Sequence, residues 1–173
     1  MSKSIQELNI FAAQIRKAAL RSMNSFHGGH VGGAMSMSDL LAALYGACMK
    51  VDPQRPDWEE RDWLVVSKGH CGPAVYGTLA LMGYFPEDEL ETLNKEGTRL
   101  PSHCDRNRPP GIDMTTGSLG QGISCAVGAA WGMQYKKMPN YVYAIVGDSE
   151  CDEGQVWEAA LFAATKKLGH LIA

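Results

Sequence analysis

The sequence predicts an α/β fold: a parallel sheet with helices on both faces. Three observations carry that expectation. Trp63-Leu64-Val65-Val66 and Tyr141-Val142-Tyr143-Ala144-Ile145-Val146 are short apolar runs, rich in β-branched and aromatic residues, and read as buried strands. A third run opens at Leu171, after a Lys-Lys-Leu-Gly helix ending. Helical patterns separate the runs, and strands joined through helices pair in parallel.

The elements follow in order. Ile5 to Met23 places Ile5, Leu8, Ala12, Ile15, Ala19 and Met23 three or four residues apart, the period of an amphipathic helix. Ser4, with Glu7 three residues on, predicts a capping box. The Gly-rich stretch from Asn24 to Ser38 reads as a loop. Ser38-Asp39 is expected to cap a second helix running to about Met49. Asp52 to Asp57 is a surface turn. Pro73 to Met82 reads as a helix with proline near its first turn, and Phe85-Pro86-Glu87 starts a short one to about Asn94. Lys95 to Thr116 is irregular, and loops of that length within a domain are usually functional. Gly117 to Gly122 opens a small-residue helix to about Gln134, with Gly128 and Gly132 expected to permit close helix packing. Gln155 to Lys167 is the last helix.

The 173 residues amount to one domain, residues 1–173. Because the third strand has only begun at Ala173, the chain is expected to be truncated at its C-terminus. Lys and Arg number 16 against 19 Asp and Glu, a formal net charge of −3. That balance gives no electrostatic reason to expect nucleic acid or an anionic membrane. Met114 to Tyr135 lacks charge but is too rich in Gly, Ser, Thr and Gln for a membrane span. Five widely spaced cysteines without a CxxC pair fit reduced thiols, and a cytoplasmic location is expected.

Three features could carry chemistry. Asp148, Glu150, Asp152, Glu153 and Glu158 follow the second strand, and ligands of open α/β sheets bind beyond the carboxyl ends of strands. Asp148 is placed to offer a carboxylate oxygen to Mg2+ or Ca2+, although a solvated acidic turn at a helix start reads equally simply. An EF-hand is excluded: its glycine and bidentate glutamate would be one position off, and a strand precedes the segment. Gly28 to Gly33 and Gly117 to Gly122 could expose backbone N–H groups to a phosphate, but neither is a Walker loop. His30, His70 and His103 sit in glycine-rich or loop context, where an imidazole can move protons or bind phosphate, although any single histidine of this kind is more often structural. His27 and His170 have no such context.

Taken together, these segments resemble the thiamine-diphosphate-binding domain of transketolase. The resemblance rests on Gly29-His30-Val31-Gly32-Gly33, Leu64 to Pro73 with its Ser67-Lys68-Gly69-His70, Leu100-Pro101-Ser102-His103, Thr116 to Ile123, and Val146-Gly147-Asp148 through Ala160. It runs colinearly from about Leu8 to the last residue. It implies a thiamine-diphosphate-binding fold and a Mg2+- (or Ca2+-) dependent transfer of a two-carbon ketol unit from a ketose phosphate to an aldose phosphate, as in the pentose phosphate pathway. It further implies that Asp148 is the metal ligand, flanked by Gly147 and Ser149. Gly117, Ser118, Leu119 and Glu158 would belong to the cofactor site. His70 would contact the diphosphate, His30 and His103 would face the substrate, and Glu153 would sit in an acidic network at a subunit interface. His30, His70, His103 and Glu153 are thus the catalytic set.

Two departures stand out. Ser149 occupies a position where the family has glycine, and the asparagine that completes the family's metal motif falls beyond Ala173. The glutamate that activates the cofactor belongs to another domain of the family. A homodimer, a C-terminal transketolase subunit, or both are the implied partners, and the chain alone is expected to be inactive. Other readings of these residues are deoxyxylulose-phosphate synthase and a noncatalytic Mg2+- or phosphate-binding module.

Overall fold

The computed structural model describes residues 2–173. Strands β1 (Trp63–Val66), β2 (Val142–Ile145) and β3 (Leu171–Ile172) form a parallel sheet in that order. Leu64 pairs with Tyr143 and Val65 with Ala144, while Val142 pairs with Leu171. Side chains alternate across the pleat. Leu64, Val66 and Ile145 therefore enter one apolar core with α1 (Ile5–Phe26), α3 (Ser38–Ala43) and α4 (Gly72–Met82). Val65, Val142 and Ala144 enter a second core with α5 (Gln121–Tyr135) and α6 (Gly154–Thr165). Helices thus cover both faces, as the sequence predicts.

The capping box at Ser4 forms in full: Ser4 Oγ accepts from the Glu7 N–H, and the Glu7 carboxylate accepts from the Ser4 N–H at 2.8 Å. The Gly-rich stretch differs from expectation. Val31–Ser36 is a short helix, α2, in place of a loop, with His30 at its N-cap. Ser38 caps nothing; its hydroxyl donates back to the Ala34 carbonyl at 3.0 Å, so α3 follows α2 after a single break at Met37. Beyond Ala43 the expected helix widens into a π-turn, Leu44–Cys48. Glu87–Thr92 is a tight 3-10 helix. Gly128 and Gly132 do not seat a neighbouring helix within the described residues: a Cβ on either would meet nothing within 4 Å.

The long irregular segment lies along the edge of β1 that faces away from β2. The Asp113 carboxylate accepts from the Leu64 N–H at 2.7 Å, and the Thr116 hydroxyl donates to the Val66 carbonyl at 2.7 Å. Two side chains thereby satisfy backbone groups that a further strand would otherwise pair. Asp113 also forms an ion pair with Arg61, and both are largely buried. Burial pushes the Asp113 carboxyl above its usual range, with the Arg61 guanidinium opposing. Among the described residues no helix is long and apolar enough to cross a membrane.

Removing one partner of a buried ion pair strands the other. Asp113→Ala is expected to cost about 3 kcal/mol of unfolding free energy. Asp39→Ala, which removes the exposed pair with Arg16, is expected to cost no more than about 1 kcal/mol. Urea unfolding of the two variants checks the contrast.

Candidate functional site

A cleft of about 540 Å³ opens at the carboxyl ends of β1 and β2. Its walls come from α2 (Gly32, Gly33, Ser36), from the turn after β1 (Lys68, His70), from Leu119 ahead of α5, and from the turn after β2 (Gly147 to Glu150). Segments far apart in sequence meet here because parallel strands place their following turns on one side of the sheet.

The floor is a hydrogen-bond network around Glu150, which is 1% exposed. One of its oxygens accepts from the Ser67 hydroxyl and from the Gly120 N–H at 2.8 Å; the other accepts from the Gly147 N–H at 2.9 Å. Ser67 in turn accepts from the Ile123 N–H at 3.0 Å. The first turn of α5 therefore rests on the end of β1. Gly122 permits that approach, since a Cβ there would come within 2.6 Å of Ser67 Cα. Gly33 plays the same part on α2: a Cβ would meet Cys71 Sγ at 2.6 Å. Glycine in these segments thus serves close approach as well as any ligand.

Asp148 and Ser149 line the cleft and are exposed, and Gly147 beneath them is buried. Asp148 has no ion-pair partner among the described residues. His70 is half-buried, and His30 meets it edge-on at 4.6 Å between ring centroids. His103 stands beside Gly117, where a Cβ would lie 3.5 Å from its ring, and its carbonyl accepts from the Tyr76 hydroxyl at 3.0 Å. Burial lowers the pKa of His70, and the charges of His30, His103 and Lys68 lower it further, against Glu150. The three expected histidines are thus neighbours, with only His70 lining the cleft itself.

Other expected residues are placed less directly. Leu119 lines the cleft; Gly117 and Ser118 lie just before it in the same turn. Glu153 is exposed, its Cβ over Gly120. Glu158 is not brought to the cleft. It projects from α6 into a separate groove with Trp131, Val127 and Phe162, because its helix runs back along the sheet. His27 ends α1 with left-handed backbone, and His170 stacks on Tyr141 at 4.5 Å. The larger cavity beside α5, about 660 Å³ and lined by Trp58, Trp63, Met114 and Met133, holds none of the expected site residues. Glu150 and Lys68, which shape the cleft, have no distinguishing local signal: one is a glutamate among acids, the other a lysine inside a longer motif.

The cleft suits a metal–diphosphate group. No cluster of three or more His, Cys, Asp or Glu side chains able to hold a metal occurs among the described residues. Mg2+, however, is commonly held by one or two carboxylates plus phosphate oxygens and water. The free Asp148 carboxylate is the protein oxygen available to such an ion, and the half-buried imidazole of His70 and the backbone of the glycine-lined walls are available to the phosphate oxygens. Burial disfavours the thiolate at two cysteines, pushing Cys104 up to about 12 and raising Cys71.

Residues 8–173 match the family described as transketolase, thiamine diphosphate binding domain. The chain belongs to the transketolase family. This transketolase-family chain is 57% identical over 173 residues to a 6-deoxy-6-sulfo-D-fructose transketolase subunit from Clostridium sp. (strain MSTE9), covering 100% of the chain and 63% of that relative. It is 39% identical over 170 residues to an apulose-4-phosphate transketolase subunit from Actinobacillus succinogenes, covering 98% of the chain and 62% of the relative. Among solved structures, transketolase from Leishmania mexicana aligns with a TM-score of 0.89 at 34% identity, over 99% of this chain and 27% of that one. Transketolase from Campylobacter jejuni aligns with a TM-score of 0.90 at 28% identity, over 98% and 28%. The transketolase-family chain thus spans somewhat under two thirds of the length of the subunits it matches.

Two outcomes test the site. The His70 midpoint, followed by NMR of its ring protons, is expected below 6.5. The stability that the neutral ring contributes is then complete above pH 6.5 and is lost as pH falls through that lower native midpoint. Glu150→Gln is expected to cost about 2 kcal/mol, because the amide nitrogen cannot accept from all the donors that face it. Urea unfolding at pH 7.5 measures it.

Proposed function

We propose that this chain is the thiamine-diphosphate- and Mg2+-binding part of a two-subunit transketolase. With its partner it transfers a two-carbon ketol unit from a ketose to an aldose. The observation that carries the reading is the meeting of Asp148, His70 and two glycine-lined walls in one cleft at the carboxyl end of the sheet. Names given to the relatives as subunits support a separate partner chain, and 57% identity to a sulfofructose transketolase subunit supports 6-deoxy-6-sulfo-D-fructose as the ketose.

In this reading Asp148 holds the metal and its neighbours Gly147 and Ser149 shape the backbone around it. His70 donates a ring N–H to a diphosphate oxygen. His30 and His103, exposed beside it, hold or move protons at the hydroxyls of the sugar. Bound thiamine diphosphate supplies the carbanion stabilisation that carbon–carbon cleavage requires. Glu153, exposed over Gly120, is free to meet a partner subunit.

Calorimetric titration of thiamine diphosphate with Mg2+ into the complex of this protein and its partner subunit provides the test. Wild type is expected to bind in a Mg2+-dependent manner and to transfer two carbons from 6-deoxy-6-sulfo-D-fructose to an aldose. Asp148→Asn is expected to weaken the Mg2+-dependent part of binding at least roughly tenfold, in line with loss of a charged metal ligand. Unchanged affinity in that variant would remove Asp148 from the role, and robust transfer by the 173-residue chain alone would remove the need for a partner.

A further inference from the structure

Lys68 is 9% exposed, an unusual burial for a lysine. It follows β1 and lines the cleft; no other lysine and no arginine does so among the described residues. Its ammonium donates to the Ser36 hydroxyl at 3.1 Å and to the Gly33 carbonyl at 3.4 Å. The Ser36 hydroxyl donates in turn to the same carbonyl at 3.0 Å, which closes a triangle on α2. Both acceptors are neutral. No carboxylate lies within 4.0 Å of the ammonium among the described residues. Glu150, the buried acid of the same cleft, is engaged by Ser67, Gly120 and Gly147.

An ammonium has three N–H donors, and α2 takes two. A largely buried cation with only neutral partners is unfavourable, and an anion brought into the cleft relieves it. The stem of Lys68 runs beside the turn that presents Asp148: a Cβ on Gly147 would lie 3.4 Å from Lys68 Cδ. A diphosphate carries more negative charge than one divalent ion on one carboxylate cancels, so a second cation in the same cleft completes the balance.

We propose that Lys68 is an anion-binding residue of this cleft, its third N–H donating to a phosphate oxygen of the diphosphate while Gly33 and Ser36 hold the ammonium in place. The assignment rests on the cofactor reading given under Proposed function. A lysine serving only to pin α2 would affect stability and leave ligand affinity alone.

The test titrates inorganic pyrophosphate with Mg2+ into the intact complex, in wild type, Lys68→Met and Lys68→Arg. Lys68→Met is expected to weaken pyrophosphate binding roughly ten- to hundredfold, the range for a charged hydrogen bond. Lys68→Arg is expected to recover most of that loss. In wild type the Lys68 Cε resonance is expected to shift on saturation with pyrophosphate, and the His70 midpoint to rise. Equal affinity of wild type and Lys68→Met overturns the role of Lys68 alone. Absence of pyrophosphate binding in wild type overturns the cofactor reading and this one with it. Should Lys68→Met fail to fold, the wild-type spectrum decides: a Lys68 signal that stays fixed while His70 moves overturns the proposal.

Discussion

The Glu150 carboxylate is the constraint on which the rest of the site depends. A charge buried to this degree persists only if its oxygens are hydrogen-bonded. Glu150 meets that demand by drawing donors from three segments: Ser67 after β1, Gly120 ahead of α5, and Gly147 after β2. Those donors fix the angle at which each turn leaves the sheet. Asp148 is then held at the mouth of the cleft as a free carboxylate, and the first turn of α5 is seated on the end of β1.

Charge is distributed in keeping with that arrangement. Arg16, Arg21, Arg55, Arg61, Arg99 and Arg108 each pair with a carboxylate of this chain. None of them lines the cleft. Exposed pairs of this kind contribute little to stability, whereas Arg61–Asp113 is buried and also satisfies the edge of β1. The cleft is left with Asp148, His70 and Lys68 as its unpaired ionisable groups. That is a donor set for a metal-bound, multiply charged anion more than for a neutral ligand.

The two apolar cores divide the labour. The core under α1, α3 and α4 supports α2, and with it His30 and the acceptors of Lys68. The core under α5 and α6 supports the Gly120 turn and the acidic segment. The cleft lies where the two meet at the end of the sheet. Movement of either helical layer relative to the strands would change the spacing between the histidines and Asp148, so packing far from the cleft bears on its geometry.

Much of this was legible in the residues. Strand positions followed from β-branched and aromatic runs, the start of α1 from Ser4 and Glu7, and the cleft's address from Asp148 lying just past a buried strand. All three are local signals, set by side-chain shape and spacing. The Gly-rich stretch reads as a loop because glycine has poor helix propensity, yet Val31–Ser36 is helical, and at Gly33 the absence of a Cβ lets that helix lie close against Cys71. Glu150 could not be told from Asp148, Asp152 or Glu153 by sequence, since the donor from Ser67 lies 83 residues away. Glu158, which the resemblance places with the cofactor residues, stands on α6 in a groove with Trp131 and Phe162, a location that follows from the packing of α6 on α5. Local residue pattern alone suffices for the α/β class and for the residue types able to meet a metal and a phosphate. Which acid is buried, which histidines are neighbours and where the lone cleft lysine points emerge from the folded chain, because they depend on hydrogen bonds and contacts between segments that are adjacent in space alone.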